Sequence, residues 1–184
     1  MVKFTRLVAG ILPLAALTLA PGAALAELPV GARAPQFATQ GALAGKPFRF
    51  DLRAALRRGP VVLYFYPKAF TRGCTLEAHA FAEAHDDFAA LGATVMGLSN
   101  DDLPTLQRFS TEACRDKFAV GVATPDIVRA YDVALWTSAA PAGMTSRTSY
   151  VIAPDGRIRL VHSDLDYRDH VRLTLDAVKA LRRR

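Results

Sequence analysis

The sequence predicts an α/β fold, a mixed central sheet flanked by helices. Three observations carry it. Val61-Val62-Leu63-Tyr64-Phe65-Tyr66 is an unbroken β-branched and aromatic run, as in a strand buried on both faces. After a short turn segment the period changes: Phe81, Ala84, Phe88 and Leu91 recur at helical offsets, with Glu83, Asp86 and Asp87 on other faces. Toward the C-terminus, strand-like runs over residues 149–153 and 158–162 flank the turn Pro154-Asp155-Gly156, and a helical pattern closes the chain.

Residues 1–26 stand apart from this pattern. Lys3 and Arg6 precede an apolar run over residues 7–20, and Ala24-Leu25-Ala26 has the form of a cleavage site. The run contains Pro13 and is short for a spanning helix. A cleaved secretory signal is expected, with the mature chain starting near Glu27, a periplasmic or otherwise exported location, and no stable membrane association. An uncleaved anchor is the alternative. Residues 27–184 are then expected to form a single domain with a real core.

Residues 29–40 read as an entry segment, broken by Gly31 and Pro35, with Phe37 its only large anchor. Phe48-Arg49-Phe50 alternates as a short strand does. Asp51 can cap a brief helix over residues 52–57, which Gly59-Pro60 ends. The run 61–66 follows. Pro67 cannot continue a central strand, and Arg72-Gly73 is turn material. A helix starts at Cys74 and is stopped by Gly92. Residues 94–98 are a second apolar strand, and Ser99-Asn100-Asp101-Asp102 is a polar loop. Pro104 suits the first turn of a helix that carries Leu106 and Phe109 toward Cys114. Residues 118–123 are a strand or an extended loop, and Pro125-Asp126 opens a short helix through Tyr131. Residues 136–147 form a Ser/Ala/Pro/Gly-rich loop without period, long enough for a lid or an interface segment. Trp136 and Met144 read as its apolar anchors. From Asp169 a final helix places Val171, Leu175, Val178 and Leu181 on one side.

The formal charge is +6; Lys3 and Arg6 contribute two, leaving +4, part of it in Arg182-Arg183-Arg184. Basic residues do not interleave with aromatics in a stripe, so no nucleic-acid partner is expected, and the charge fits solubility. With no Gly-x-Gly-x-x-Gly or Walker sequence, no nucleotide cofactor is expected. His79, His85, His162 and His170 lack metal-ligand spacing and read as packed or solvated, so no metal is expected. The chain has two cysteines, Cys74 and Cys114, and an oxidising compartment permits one disulfide between them. The absence of Cys-x-x-Cys counts against a dithiol exchanger and a zinc ribbon.

Cys74 sits where the loop after a buried strand meets the first turn of a helix. Unpaired N–H groups and the positive dipole end favour an anion there, and a thiol is pushed toward thiolate, its reactive form. The other reading is a small buried residue in a turn.

The segment Pro67-x-x-x-Thr71-x-x-Cys74 follows Tyr64-Phe65-Tyr66 and precedes Thr75-Leu76-Glu77. With the later Arg147-Thr148-Ser149-Tyr150-Val151-Ile152-Ala153-Pro154-Asp155-Gly156, it resembles the peroxiredoxins, thiol peroxidases of thioredoxin-like fold. The likeness is greatest to the bacterioferritin-comigratory-protein subfamily and spans roughly Val30 to Ala180. The resemblance implies a peroxidase that reduces hydrogen peroxide and organic hydroperoxides through a cysteine sulfenic acid. Its reductant would be a thioredoxin-like or other thiol, and it would be a monomer or homodimer. It implies that Cys74 is the peroxidatic cysteine. Thr71 would exchange hydrogen bonds with thiolate and peroxide, Pro67 would shield the thiolate from water, and Arg147 would sit beside the sulfur. Many relatives carry a second cysteine where this chain has His79. Some place a resolving cysteine in the helix after the polar loop, which implies that role for Cys114, forty residues after Cys74. Disulfide bonding needs Cα atoms within about 4.4–6.8 Å, so the first turn of the Cys74 helix is expected to unwind.

The chemistry asks for such a set. A thiolate attacks one peroxide oxygen while the other leaves with charge, and donors must favour that charge more than the ground state. Arg147 is always protonated and can fork two donors; its bland alternative is a surface salt bridge. Thr71 can equally serve as an N-cap. Glu77 can pair with Arg147 or complement the helix dipole. Two other functions compete: thiol–disulfide exchange without peroxidase activity, and metal carriage on the same fold.

Overall fold

The computed structural model describes residues 27–135 and 143–182. The expected signal segment, Trp136, Arg183 and Arg184 lie outside the described residues. In chain order the elements are β1 (Ala38–Leu43), β2 (Lys46–Asp51), α1 (Leu52–Leu56), β3 (Val61–Phe65), α2 (Arg72–Glu83), α3 (His85–Ala90), β4 (Thr94–Ser99), α4 (Leu103–Glu112), β5 (Ala119–Val122), α5 (Pro125–Tyr131), β6 (Thr148–Ile152) and β7 (Ile158–Ser163). A single 3₁₀ turn at Tyr167–Asp169 leads into α6 (His170–Leu181). The strands form one mixed sheet in the order β2-β1-β5-β4-β3-β6-β7. β3, β4 and β5 run parallel in its middle, and the outer pairings are antiparallel. This is the α/β thioredoxin-like architecture expected.

β3 shows why the sheet holds. All five of its residues are buried, and the strand's period of two sends them to opposite layers. Val61, Leu63 and Phe65 pack with Leu52, Ile127 and Tyr131 of α1 and α5. Val62 and Tyr64, with Tyr66 beyond the strand, pack with Phe81, Leu106, Phe109 and Val178 of α2, α4 and α6. Tyr64 stacks on Phe81 at 4.4 Å between ring centroids, and Tyr66 on Phe109 at 5.4 Å. Burial of Phe81 and of Phe109 contributes about 1.5–3 kcal/mol each, and each stacked pair about 0.5–1.5 kcal/mol more. The stacks therefore fix α2 and α4 against the strand whose end carries the candidate site.

Most predicted elements are present. Asp51 caps α1, its Oδ1 accepting from Ala54 N at 2.8 Å, and Asp102 caps α4 in the same way. Residues 118–123 resolve into strand β5. Val171, Leu175, Val178 and Leu181 of α6 all face the second layer. Two readings are corrected. The entry segment ends in a true strand, β1, which the sequence conceals because small residues stand where β-branched ones would signal it. Gly41 is one of them: a Cβ there would lie 2.8 Å from the Val120 carbonyl oxygen of β5. The helix read as continuous from Cys74 to Leu91 starts two residues earlier and breaks at Ala84, whose φ −85° and ψ 0° leave the helical range. The described part of the expected loop, residues 143–147, forms no helix or strand, and Thr145 makes an isolated antiparallel bridge to Ala134.

Candidate active site

β3 ends at the sheet centre, and its exit loop is pinned on two sides. Thr145 Oγ1 donates to the Tyr66 carbonyl at 2.7 Å. Asp101 Oδ2 accepts from Ala69 N at 2.7 Å and from Ser99 Oγ at 2.8 Å. Pro67 is half-buried at the start of this loop, and Phe70 takes a left-handed φ of +64°, a costly conformation for a non-glycine residue. The loop then turns into α2, whose third residue is Cys74.

Cys74 is 1% exposed and Arg147, just before β6, is 5% exposed. Arg147 Nη2 reaches Cys74 Sγ at 3.5 Å. Its Nη1 donates to Glu77 Oε2, and its Nε donates to the Leu165 carbonyl at 2.9 Å. The side chain is thus tied to α2 at two points and to the segment after β7. Gly73 makes room for it, since a Cβ there would lie 3.2 Å from Nη2. Glu77 follows Cys74 by three residues, one helical turn, and is fully buried. Burial pushes its carboxyl up to about 8, with the Arg147 guanidinium pulling the other way.

The structure therefore joins Cys74, Arg147 and the supportive Glu77. Pro67 and Thr71 flank them on the loop. One expectation changes: the Thr71 hydroxyl donates to the Lys68 carbonyl at 3.0 Å, and neither bonds Cys74 nor caps the helix in the described residues. Thr71 occupies the N-cap by position only, with its side chain exposed and its oxygen lone pairs unused there. Cys114 lies just past the C-cap of α4, fully buried in the same layer as Cys74, and both thiols are free. Burial, reinforced by Asp116, pushes the Cys114 thiol up.

Sequence reasoning missed a polar cluster behind Glu77. His170 and Ser149 are fully buried there, and His162 packs edge-on against His170 at 4.5 Å between ring centroids. The signal was present: Glu77 shares an i, i+4 stripe with Phe81, and His170 shares one with Thr174 and Val178. A charged or titratable residue on a buried stripe implies a partner.

Residues 30–161 match the AhpC/TSA family. The chain belongs to that family. It is 30% identical over 158 residues to a putative peroxiredoxin Bcp of Haemophilus influenzae, covering 84% of this chain and 98% of that one. It is 30% identical to peroxiredoxin Bcp of Bacillus subtilis over 123 residues, 65% of this chain and 77% of the other. Among solved structures, peroxidoxin BcpB of Mycobacterium tuberculosis superposes with a TM-score of 0.71 at 28% identity, covering 83% of this chain and 97% of that one. The Plasmodium vivax 2-Cys peroxiredoxin, TM-score 0.72 at 22% identity, shares the fold. The peroxiredoxin resemblance of the segment from Pro67 to Cys74 thus holds across the chain, and with it thiol-dependent peroxidase activity.

Proposed function

We propose that this peroxiredoxin is an exported enzyme that reduces hydrogen peroxide and organic hydroperoxides at Cys74. Cys114 then resolves the product to an intramolecular disulfide, and a thioredoxin-like or other thiol reduces it. The observation that carries the assignment is the Arg147 guanidinium 3.5 Å from Cys74 Sγ in a buried site. A cation so placed can meet the oxygen that leaves. Cys74 sulfur attacks one peroxide oxygen, the O–O bond breaks, and the departing oxygen takes up a proton. Sulfur is oxidised to sulfenic acid and the peroxide is reduced to water or alcohol. Pro67 and Thr71, flanking Cys74, serve to exclude water and to orient the peroxide.

Cys114 supports the resolving step by its place in the same layer. Both thiols belong to the same buried cluster as Tyr64 and Tyr66. Condensation of the sulfenic acid with the Cys114 thiol forms the S–S bond and releases water. Export rests on residues 1–26. We read residues 27–184 as a single domain, acting as a monomer or homodimer. The test is stopped-flow peroxide consumption with a thiol donor by wild type and Cys74→Ser. Turnover must vanish in the variant; near-wild-type turnover would end the assignment, and no turnover in either would favour thiol–disulfide exchange.

A further inference from the structure

Glu77 uses one carboxyl oxygen and leaves the other alone. Oε2 accepts from Arg147, while the buried Oε1 has no hydrogen-bond partner among the described residues. The nearest ring nitrogen is His170 Nδ1, at 3.8 Å. That nitrogen cannot donate. His170 Nε2 lies 2.9 Å from the Asp164 carbonyl, which can only accept, so the ring proton sits on Nε2. Nδ1 is then an acceptor, and Ser149 Oγ, at 2.8 Å, donates to it. A carboxylate at Glu77 would leave Oε1 charged and without a donor inside the protein, its nearest ring nitrogen being already bonded to Ser149 and unable to supply one, an arrangement of high cost. A proton on Oε1 removes the conflict.

We propose that His170 is a positioning residue for this site: its Nδ1, locked as an acceptor, keeps a proton on Glu77 and leaves the Arg147 charge undivided for Cys74. Other groups face the pair from every side. Arg147 before β6 and Tyr64 on β3 act on Glu77; His162 on β7, Asp164, Asp169 and Arg147 act on His170. Burial pushes His170 down to about 4, so at neutral pH it brings no charge that would draw the proton off Glu77. The inference rests on the peroxidase reading only for its consequence, since the state of Glu77 can be read without turnover.

The experiment is infrared difference spectroscopy of the reduced mature chain, wild type against Glu77→Gln. A protonated-carboxyl C=O band is expected at neutral pH, fading as pH rises through about 8. His170→Asn brings an amide N–H to the place of Nδ1, gives Oε1 a donor, and lowers the midpoint by about one unit or more. Ser149→Ala leaves Glu77 as the nearest donor to Nδ1 and raises it. Absence of the band or a midpoint unmoved in His170→Asn would overturn the proposal. A normal band in a protein without peroxide turnover would instead sink the peroxidase reading and leave this one standing.

Discussion

Arg147→Met separates the arginine's chemical work from its structural work. Methionine keeps much of the apolar stem and supplies no donor. Three interactions go: to Cys74 Sγ, to Glu77 Oε2 and to the Leu165 carbonyl. Losing a donor aimed at developing oxyanion charge typically slows the chemical step by about 10²–10³-fold. The stability cost depends on Glu77. Leaving a buried carboxylate unpaired costs about 3–5 kcal/mol, whereas stranding a neutral acid costs about 1–3 kcal/mol. With Glu77 pushed up to about 8, the neutral form dominates at pH 6, so the smaller figure applies there. Removing the cation raises Glu77 further, so the folded variant keeps its proton where the wild type has released it. Above pH 8 the penalty therefore grows by up to about 1.4 kcal/mol per pH unit. Urea unfolding of both proteins at pH 6 and pH 9 reads the stability, and stopped-flow loss of the Cys74 thiol reads the rate. A rate within threefold of wild type would remove Arg147 from the chemistry. A penalty equal at the two pH values would mean that no titrating group answers to it.

Other outcomes follow from the same structure. Cys114→Ser, treated with one equivalent of peroxide, accumulates a sulfenic acid on Cys74 or a Cys74-linked dimer, while the wild type loses two protons' mass as a monomer; a wild type carrying one added oxygen and a free Cys114 would make this a one-cysteine enzyme. Native Glu77 holds a proton that the unfolded chain releases near 4.5, so its contribution to stability falls as pH rises toward about 8. Native His170 binds its proton only near 4, against 6.5 unfolded, and contributes the opposite slope between those values. The two nearly cancel below pH 6.5. Relative to Glu77→Gln, in which His170 still titrates, the wild type should lose up to about 1.4 kcal/mol per unit between about 4.5 and 8, and parallel curves would refute the shift. N-terminal sequencing of the cell-envelope fraction should begin at Glu27, and an intact N-terminus in the cytosol would contradict export.

What was legible in the sequence depended on whether one residue or a convergence of residues carried the information. β3 could be read because burial on both faces demands a continuous apolar run. Cys74 could be read because it stands where that run's exit loop becomes a helix. β1 could not: its strand is held by a register that brings Gly41 opposite Gly121 of β5, and that pairing is written in two places eighty residues apart. The Arg147–Cys74 contact joins residues 73 apart and was supplied by family likeness rather than by local pattern. His170 and Ser149 escaped for a related reason, since each is unremarkable alone and acquires meaning only when β6 and α6 bring them together behind Glu77. The bond of the Thr71 hydroxyl to the Lys68 carbonyl could not be read because a side chain's bond follows loop curvature, here set by Asp101 and Thr145, which periodicity does not report.

The pinning of the site also says where it must give way if Cys74 is to meet Cys114. Arg147 is held through Glu77, on the second turn of α2, and through Leu165, beyond β7. Neither bond involves the first turn. That turn is held by Thr75 N to the Thr71 carbonyl at 2.9 Å and by the contact of Cys74 with Arg147. Among the described residues it has no side-chain cap. Omission of a cap is worth about 0.5–2 kcal/mol, and the turn exposes Thr71, Arg72 and Leu76 to solvent. Past it, Glu77, Ala78, Phe81 and Ala82 are buried, and Phe81 is stacked on Tyr64. Unwinding therefore costs little up to Leu76 and rises steeply at Glu77, making the Arg147–Glu77 pair the fixed point about which the cysteine turn swings. Hydrogen exchange on the oxidised protein should show faster exchange over residues 72–76, with protection kept over residues 78–83 and over β6. Exchange that spreads through all of α2 would show that the Glu77 anchor does not hold, and exchange unchanged over residues 72–76 would show that Cys74 reaches its partner without unwinding.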